Sequence, residues 1–396
     1  MTSAELIYYL LILYALTLPL SRAAVSGLPV MVLLVWIYNS YKQNKFHEYK
    51  NLILNSKPLF IFIIFSIYAL ITLSWSDMSG GEYRNIYKLF AYTLIIPIVM
   101  FTSLNNKEKS TVLSAFFLGM FISELISYSI FFDFLETNTS RNSEFPTPFM
   151  SHIQYSTFLA IIAPLLLIKF FNVDTVKEKV FYSLYLLMVV INLFISGGRT
   201  GQLAFLCAVV IVFLMSFKNK FKAFLISIGI LFSMLFIMYN SIDTFNNKVN
   251  TAKNDLVNVY ENNMFCTSWG IRLGSYEIAF DLAKEKPFVG YGLFGQKKSL
   301  DKLIDLNYPE RACIKNHGDF QNQFLLVLVQ YGIIGLIIYL IFFIKLFNEK
   351  NNNPNLQNLK YIFLTVFCIF FMSEGLIYQF SNALFGFLLA LSLKEK

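Results

Sequence analysis

Only six of the 32 basic residues in this 396-residue chain are arginine: Arg22, Arg84, Arg141, Arg199, Arg272 and Arg311. A guanidinium grips phosphate through two parallel N–H donors and stays charged where hydration is poor, whereas a lysine ammonium acts as a point charge. Compositional drift towards lysine leaves arginine where it is needed, so the survivors are read as candidate phosphate ligands. Arg199 lies in Ser196-Gly197-Gly198-Arg199-Thr200-Gly201, where the glycines break a helix and admit close approach of backbone to a ligand. The alternative for Arg199 is an interfacial arginine that snorkels to water. Arg272, in Trp269-Gly270-Ile271-Arg272-Leu273-Gly274, opens a helix-like stretch to Lys284. A cation beside the positive end of a helix suits an anion. Its alternative is a solvated loop charge.

A hydroxyl acceptor needs a base, and an imidazole with an ordinary pKa of about 6.5 serves at neutral pH. The candidate is His317, in Asn316-His317-Gly318-Asp319-Phe320-Gln321-Asn322-Gln323-Phe324. His152, Asp319, Gln321, Asn322 and Glu374 are candidate supporting residues, while His47 sits among lysines and reads as inert. Glu124 and Glu374 fall inside apolar runs, where a carboxylate is a functional candidate by default, either orienting the histidine or holding an arginine. Cys207 and Cys368 read as small apolar residues. Cys266 and Cys313 bracket Arg272 and are expected to form a disulfide in an oxidising compartment. The chain has no His-Glu-x-x-His, Asp-x-Asp, clustered Cys/His, P-loop or dinucleotide pattern, so no metal site and no cofactor is expected. A diphosphate leaving group would then be neutralised by arginine and lysine.

The elements that must position these groups are membrane helices. At 56% hydrophobic and 14% charged, the chain is neither a soluble enzyme, a disordered segment nor a secreted disulfide scaffold. Long unbroken apolar runs also argue against an outer-membrane barrel. Twelve spans are predicted at 5–20, 24–41, 58–75, 86–104, 111–135, 149–170, 178–196, 200–217, 221–240, 320–345, 358–377 and 379–393. The first carries Glu5 and no basic leader, so it is expected to be a retained helix.

Loops after even-numbered spans carry lysine and no arginine, among them Lys42, Lys45, Lys107, Lys109, Lys169, Lys177, Lys218, Lys345 and Lys360. That side is read as cytoplasmic, with the termini inside and all six arginines outside. The +8 net charge thus reports topology or anionic substrates before nucleic acid. The expected fold is an all-α polytopic transmembrane bundle. Its divisions are helices 1–9 in residues 1–240, a long, partly helical periplasmic loop at 241–318, and helices 10–12 in 319–396. A loop that long in a compact protein is usually functional.

Several short motifs recur in a distinctive order. They are Ser74-Trp75-Ser76, Ser-x-x-Arg-x-Gly at 196–201, and the Arg272 helix running into Pro287-Phe288-Val289-Gly290-Tyr291-Gly292. His317 then leads into Asn322-Gln323-Phe324, and Gly332-Ile333-Ile334-Gly335 follows. This pattern resembles the O-antigen ligase/O-antigen polymerase superfamily of bacterial inner membranes. The resemblance implies metal-independent, inverting glycosyl transfer on the periplasmic side. An undecaprenyl-diphosphate-linked polysaccharide would be the donor and a sugar hydroxyl of lipid A–core the acceptor, with membrane lipids as surroundings. In that reading Arg199 and Arg272 clamp the diphosphate and His317 is the base. The polymerase alternative joins lipid-linked repeat units from the same donor. A lipid-linked sugar transporter is a further alternative, though transporters usually place polar sites at the midplane. One departure stands out: the family often has His directly before the Asn of a His-Asn pair, and here that position is Gln321. His317, four residues earlier, would reach a similar place only if one helical turn joins them.

Overall fold

The computed structural model describes residues 2–78, 83–135, 146–241, 243–316, 320–376 and 379–394. Among them every regular element is helical. In chain order these are α1 (Ser3–Thr17), α2 (Arg22–Lys42), α3 (Phe46–Asn55), α4 (Lys57–Ile71), α5 (Tyr83–Phe90) and α6 (Ile96–Ser103). Next come α7 (Asn106–Phe131), α8 (His152–Asn172), α9 (Val176–Ile195), α10 (Arg199–Ser216), α11 (Lys220–Ser241) and α12 (Asp243–Asn262). The last five are α13 (Ser268–Glu285), α14 (Gln296–Asn307), α15 (Gln323–Asn348), α16 (Pro354–Phe371) and α17 (Gln379–Ser392).

The fold is the expected all-α polytopic bundle. Among the described residues eight stretches are long and apolar enough to cross a membrane: α2, α4 with its 3-10 extension to Ser74, Asn85–Ser103, α7, α8, α9, α10 and α15. The other four predicted spans fold as α11, α16 and the shorter apolar helices α1 and α17. The fourth predicted span is not one regular helix, because a π-turn at Ala91–Ile95 separates α5 from α6. Polar residues start the helices where sequence places them. Thr2 with Glu5, Asn105 with Glu108, and Ser151 with Gln154 form reciprocal capping boxes on α1, α7 and α8. Each satisfies amide donors that a helix start otherwise leaves open.

The centre of the bundle is α8 and α17, buried along most of their length. Around them phenylalanines interdigitate, with Phe62 and Phe342 ring centres 4.8 Å apart and Phe367 and Phe385 5.4 Å apart. Between apolar helices in lipid such packing and interhelical hydrogen bonds supply the association energy.

The bundle has an arginine end and a lysine end. At the lysine end Lys109 Nζ donates to the Leu393 carbonyl at 2.9 Å, and Lys360 donates to the Glu349 carbonyl. At the other end lie the N-termini of α2, α8, α10 and α15 and the whole 268–316 segment. That segment is more structured than the expected loop with a single helix. It holds α13, α14 and a 3-10 helix at Pro309–Asn316 around a small core of Ile278, Leu282, Leu300, Ile304 and Ile314.

Candidate functional site

Two backbone devices fix the 268–316 segment to the bundle. The first is a break in α15 at Gly332 (φ 65°, ψ −170°), a combination essentially reserved for glycine. The strap Pro287–Gly295 docks into this break. Tyr291 and Gly292 amides donate to the carbonyls of Val329 and Gln330 at 2.9 and 2.7 Å, and Ile333 N–H donates to Pro287 O at 2.8 Å. The same strap is held from α4, since Leu293 N–H donates to Thr72 Oγ1 at 3.0 Å and Ser76 Oγ donates to Leu293 O at 2.7 Å. Ser74–Ser76 therefore forms one joint with Pro287–Gly292 and Gly332–Gly335, motifs that lie more than 200 residues further along the chain. The second device is the Cys266–Cys313 disulfide, with Cα atoms 5.8 Å apart, which ties α13 to the 3-10 helix.

Beside the disulfide, Arg311 is buried and held by two rings and a carboxylate. Its guanidinium carbon lies 3.8 Å from the Phe265 ring centre and 4.3 Å from that of Tyr308, with Glu277 Oε2 at 2.6 Å. This arginine staples the segment together. Tyr308 OH donates to Asp281 Oδ2 at 2.6 Å, and this bond, with partial burial, pushes the phenol up to about 12. Lys284 first and Tyr308 second hold the Asp281 carboxyl below the usual carboxylate range.

Arg272 is one turn inside α13, which starts at Ser268 and not, as the sequence suggested, at Arg272 itself. Its Nη1 folds back onto Ser268 O and Oγ at 2.9 and 3.1 Å, so the charge still lies against the first turn. Its Nη2 is 3.8 Å from Glu374 Oε1, whose side chain is only 5% exposed. The structure thus brings Glu374 to an arginine. Tyr276, one turn further along α13, donates to Met372 O at 2.6 Å and seats the helix on the end of α16.

The Arg199 motif meets the same place. Thr200 Oγ1 and Ser373 Oγ are 2.8 Å apart, so the residue after Arg199 touches the residue before Glu374. Arg199 itself is exposed at the first position of α10 and makes no ion pair or hydrogen bond among the described residues. Gly198 and Gly201 let α10 press on α8: a Cβ on Gly198 would lie 2.1 Å from Ser156 Oγ and 2.7 Å from His152 O. His152 thus begins α8 beside the Arg199 turn. Arg22 joins from α2, with Nε 3.3 Å from Phe149 O and its own carbonyl accepting from Gln379 Nε2. Gln323 Oε1 accepts from Leu376 N–H at 2.6 Å, bringing the start of α15 alongside.

His317 and Asp319 lie outside the described residues, as does Arg141. The idea that one helical turn links 317 to 321 is corrected over its described part. Phe320–Asn322 is not helical, Gln321 has φ +48°, and α15 begins only at Gln323. The physical reason is the cap: Asn322 Oδ1 accepts from Phe324 and Leu325 amides, which ends the helix there. Gln321 is buried beside this cap. Glu124 is buried in α7, away from the Arg272–Glu374 pair, and its oxygens have no hydrogen-bond partner among the described residues.

Sequence reading missed Thr200, Ser373 and Tyr276, whose hydroxyls join the arginine-bearing helices. It also missed Asn85, Lys88, Gln379 and Asn382, which line a cavity of about 50 Å³ at this end. The spacing of Asn85 and Lys88 on one helix face was the available signal. Among the described residues no three His, Cys, Asp or Glu side chains gather as a cation cage. The assembly offers instead an open guanidinium at a helix N-terminus, a second guanidinium beside a carboxylate, and the Thr200–Ser373 hydroxyl pair that joins the Arg199 motif to the residue before Glu374. These are the parts of an anion site.

A protein of Haemophilus influenzae described as uncharacterized is 28% identical to this chain over 221 residues, covering 52% of the chain and 55% of that protein. The chain thus spans about half the length of the curated relative it matches. Residues 184–340 match the family model described as Wzy_C, O-antigen ligase. That stretch holds Arg199, Arg272, the disulfide, the strap and the break in α15, and it bears out the resemblance to the O-antigen ligase/O-antigen polymerase superfamily read from those same motifs.

Proposed function

We propose that the chain is an O-antigen ligase, moving a polysaccharide from undecaprenyl diphosphate to a sugar hydroxyl of lipid A–core at the periplasmic face of a bacterial inner membrane. The observation that carries this reading is the meeting of the Arg199 and Arg272 elements through Thr200, Ser373 and Glu374 at one end of the bundle. In the reaction the acceptor oxygen attacks the anomeric carbon from the face opposite the leaving group, and the carbon–oxygen bond to the diphosphate breaks with inversion. Arg199 and Arg272 hold the diphosphate oxygens as negative charge grows on them. Preorganised cations aimed at developing charge are usually the largest catalytic contribution. Glu374 keeps the Arg272 fork in orientation, and the hydroxyls of Thr200 and Ser373 lie between the two cations. His317 is the candidate to take the acceptor proton by residue chemistry alone, without the helical turn that would bring it to the position of Gln321, and that step is worth roughly 10²–10⁴-fold. The disulfide and the strap keep α13 in register with the bundle, so that the Arg272 fork need not be reordered when the donor arrives.

Purified protein supplied with lipid-linked donor and lipid A–core should release undecaprenyl diphosphate and form the glycosylated acceptor. His317→Ala should abolish transfer and leave donor binding intact; near-normal transfer by that variant overturns the base assignment. Surface-polysaccharide banding in a deletion strain separates the acceptors. Unligated long chains accord with a ligase, and single repeat units would make the protein a polymerase.

A further inference from the structure

The lysine end carries a feature that the proposed reaction does not use. A groove of about 440 Å³ lies among α7, α8, α9 and α16, a volume within the roughly 300–1,000 Å³ common for small-molecule sites. Along α7 it extends from Ser110 to Phe121. At 1.5 Å per residue that is about 16 Å, one leaflet's share of a hydrocarbon core about 30 Å thick. Phe117, Phe121 and Phe181 give it an apolar wall. Its rim is polar and cationic, formed by Ser110 in the first turn of α7, Lys169 in the last turn of α8, and Asn355 and Asn358 in the first turns of α16. Among the described residues no carboxylate lines it.

Lys169 differs from the other buried or half-buried lysines of this end. Lys109 and Lys360 donate to main-chain carbonyls, whereas Lys169 Nζ has no hydrogen bond or ion pair among the described residues. The side-chain amides of Asn355 and Asn358 are likewise without hydrogen bonds among those residues. A cation and two amides at a membrane boundary, above an apolar slot one leaflet deep, match the two halves of a lipid. Basic pockets between membrane helices are known to take acidic headgroups.

We propose that this groove binds one anionic diacyl phospholipid from the leaflet at the lysine end. Its phosphate lies on Lys169 and the amides of Asn355 and Asn358, and one acyl chain lies along Phe117 and Phe121. The lipid fills space between α7 and α9 and ties the lysine ends of α8 and α16 to the membrane surface.

Native mass spectrometry of the full-length protein in detergent tests this, with phosphatidylglycerol and phosphatidylcholine of identical chains as probes. The wild type should retain one phosphatidylglycerol in preference to phosphatidylcholine. Lys169→Gln should weaken that adduct roughly five-fold, the worth of one lysine at an anionic surface. Ser114→Trp, which fills the groove wall and leaves the cation in place, should lose the adduct as well. Equal retention of the two lipids by the wild type overturns the proposal. Wild-type phosphatidylglycerol occupancy in either folded variant overturns it too. The readout is lipid mass, so it stands or falls independently of glycosyl transfer.

Discussion

Replacing Gly332 with alanine should undock the strap that joins the 268–316 segment to the bundle. Gly332 sits at φ 65° and ψ −170°, a region where a residue with a Cβ is strained by about 1–3 kcal/mol. The added Cβ would also lie 2.1 Å from Phe288 O and 2.2 Å from Phe288 C. These are backbone atoms, so no side-chain rotation relieves the clash, and the strap must withdraw. Withdrawal breaks bonds such as Ile333 N–H to Pro287 O and Tyr291 N–H to Val329 O. Each is worth about 0.5–1.5 kcal/mol net. Strain plus two lost bonds comes to about 2–6 kcal/mol, or about 30-fold to 10⁴-fold in the docked-to-undocked ratio. Hydrogen exchange on the full-length protein reads this directly at the Tyr291 and Gly292 amides, which should lose protection by that factor. The control is Gly229→Ala in α11, where an added Cβ meets nothing within 4 Å and helix propensity favours alanine by up to about 1 kcal/mol. If Gly332→Ala exchanges like the wild type at those amides, the account of the joint is wrong. Transfer activity should fall with protection, although the substituted residue touches neither arginine.

Other consequences are narrower. Arg199→Lys keeps the charge and removes the fork, so donor affinity should fall about ten-fold, with Arg199→Ala falling further; equal affinity for all three proteins in a donor-binding titration would count against a bidentate contact. Arg272→Ala removes the arginine beside the mostly buried Glu374 carboxylate and should lower both donor affinity and stability, whereas Glu374→Gln should spare stability and reduce turnover, a split that thermal melts and kinetics on the same preparations resolve. Cys266→Ser opens a loop of 47 residues' separation and should destabilise the segment by up to about 4 kcal/mol, read as early proteolytic cleavage between α12 and α14. Asp281 has its carboxyl held low by Lys284 and Tyr308, so its contribution is complete above the ordinary carboxylate value of about 3.9 and is lost as pH falls through the lower folded value. Acid melts of Asp281→Asn should therefore lack part of the wild-type decline below about pH 4.

The twelve apolar runs were legible because lipid makes hydropathy the dominant signal and demands that every backbone group be satisfied within the segment. The capping boxes at Thr2, Asn105 and Ser151 are local too, yet span starts set by hydropathy at 5, 111 and 149 passed over them. The start of α13 was missed by four residues because Thr267, the cap, precedes the motif that drew attention. A helical turn through Phe320–Asn322 failed for the same kind of reason: Asn322 caps α15, and a helix that begins at Gln323 cannot also run through Phe320.

Composition and local pattern thus determined which residues form membrane helices, where arginine and lysine segregate, and which short motifs are unusual. Which of these motifs touch was decided only in three dimensions. Thr200 and Ser373 are separated by 173 positions, and Ser76 and Leu293 by 217, yet each pair shares a hydrogen bond. Hydropathy acts on each segment against its solvent, whereas these pairings depend on how helices of similar apolarity sort against one another. That sorting follows from shape: two glycines at the start of α10 packed close on α8, one broken helix that accepts a strap, and a covalent link across the loop.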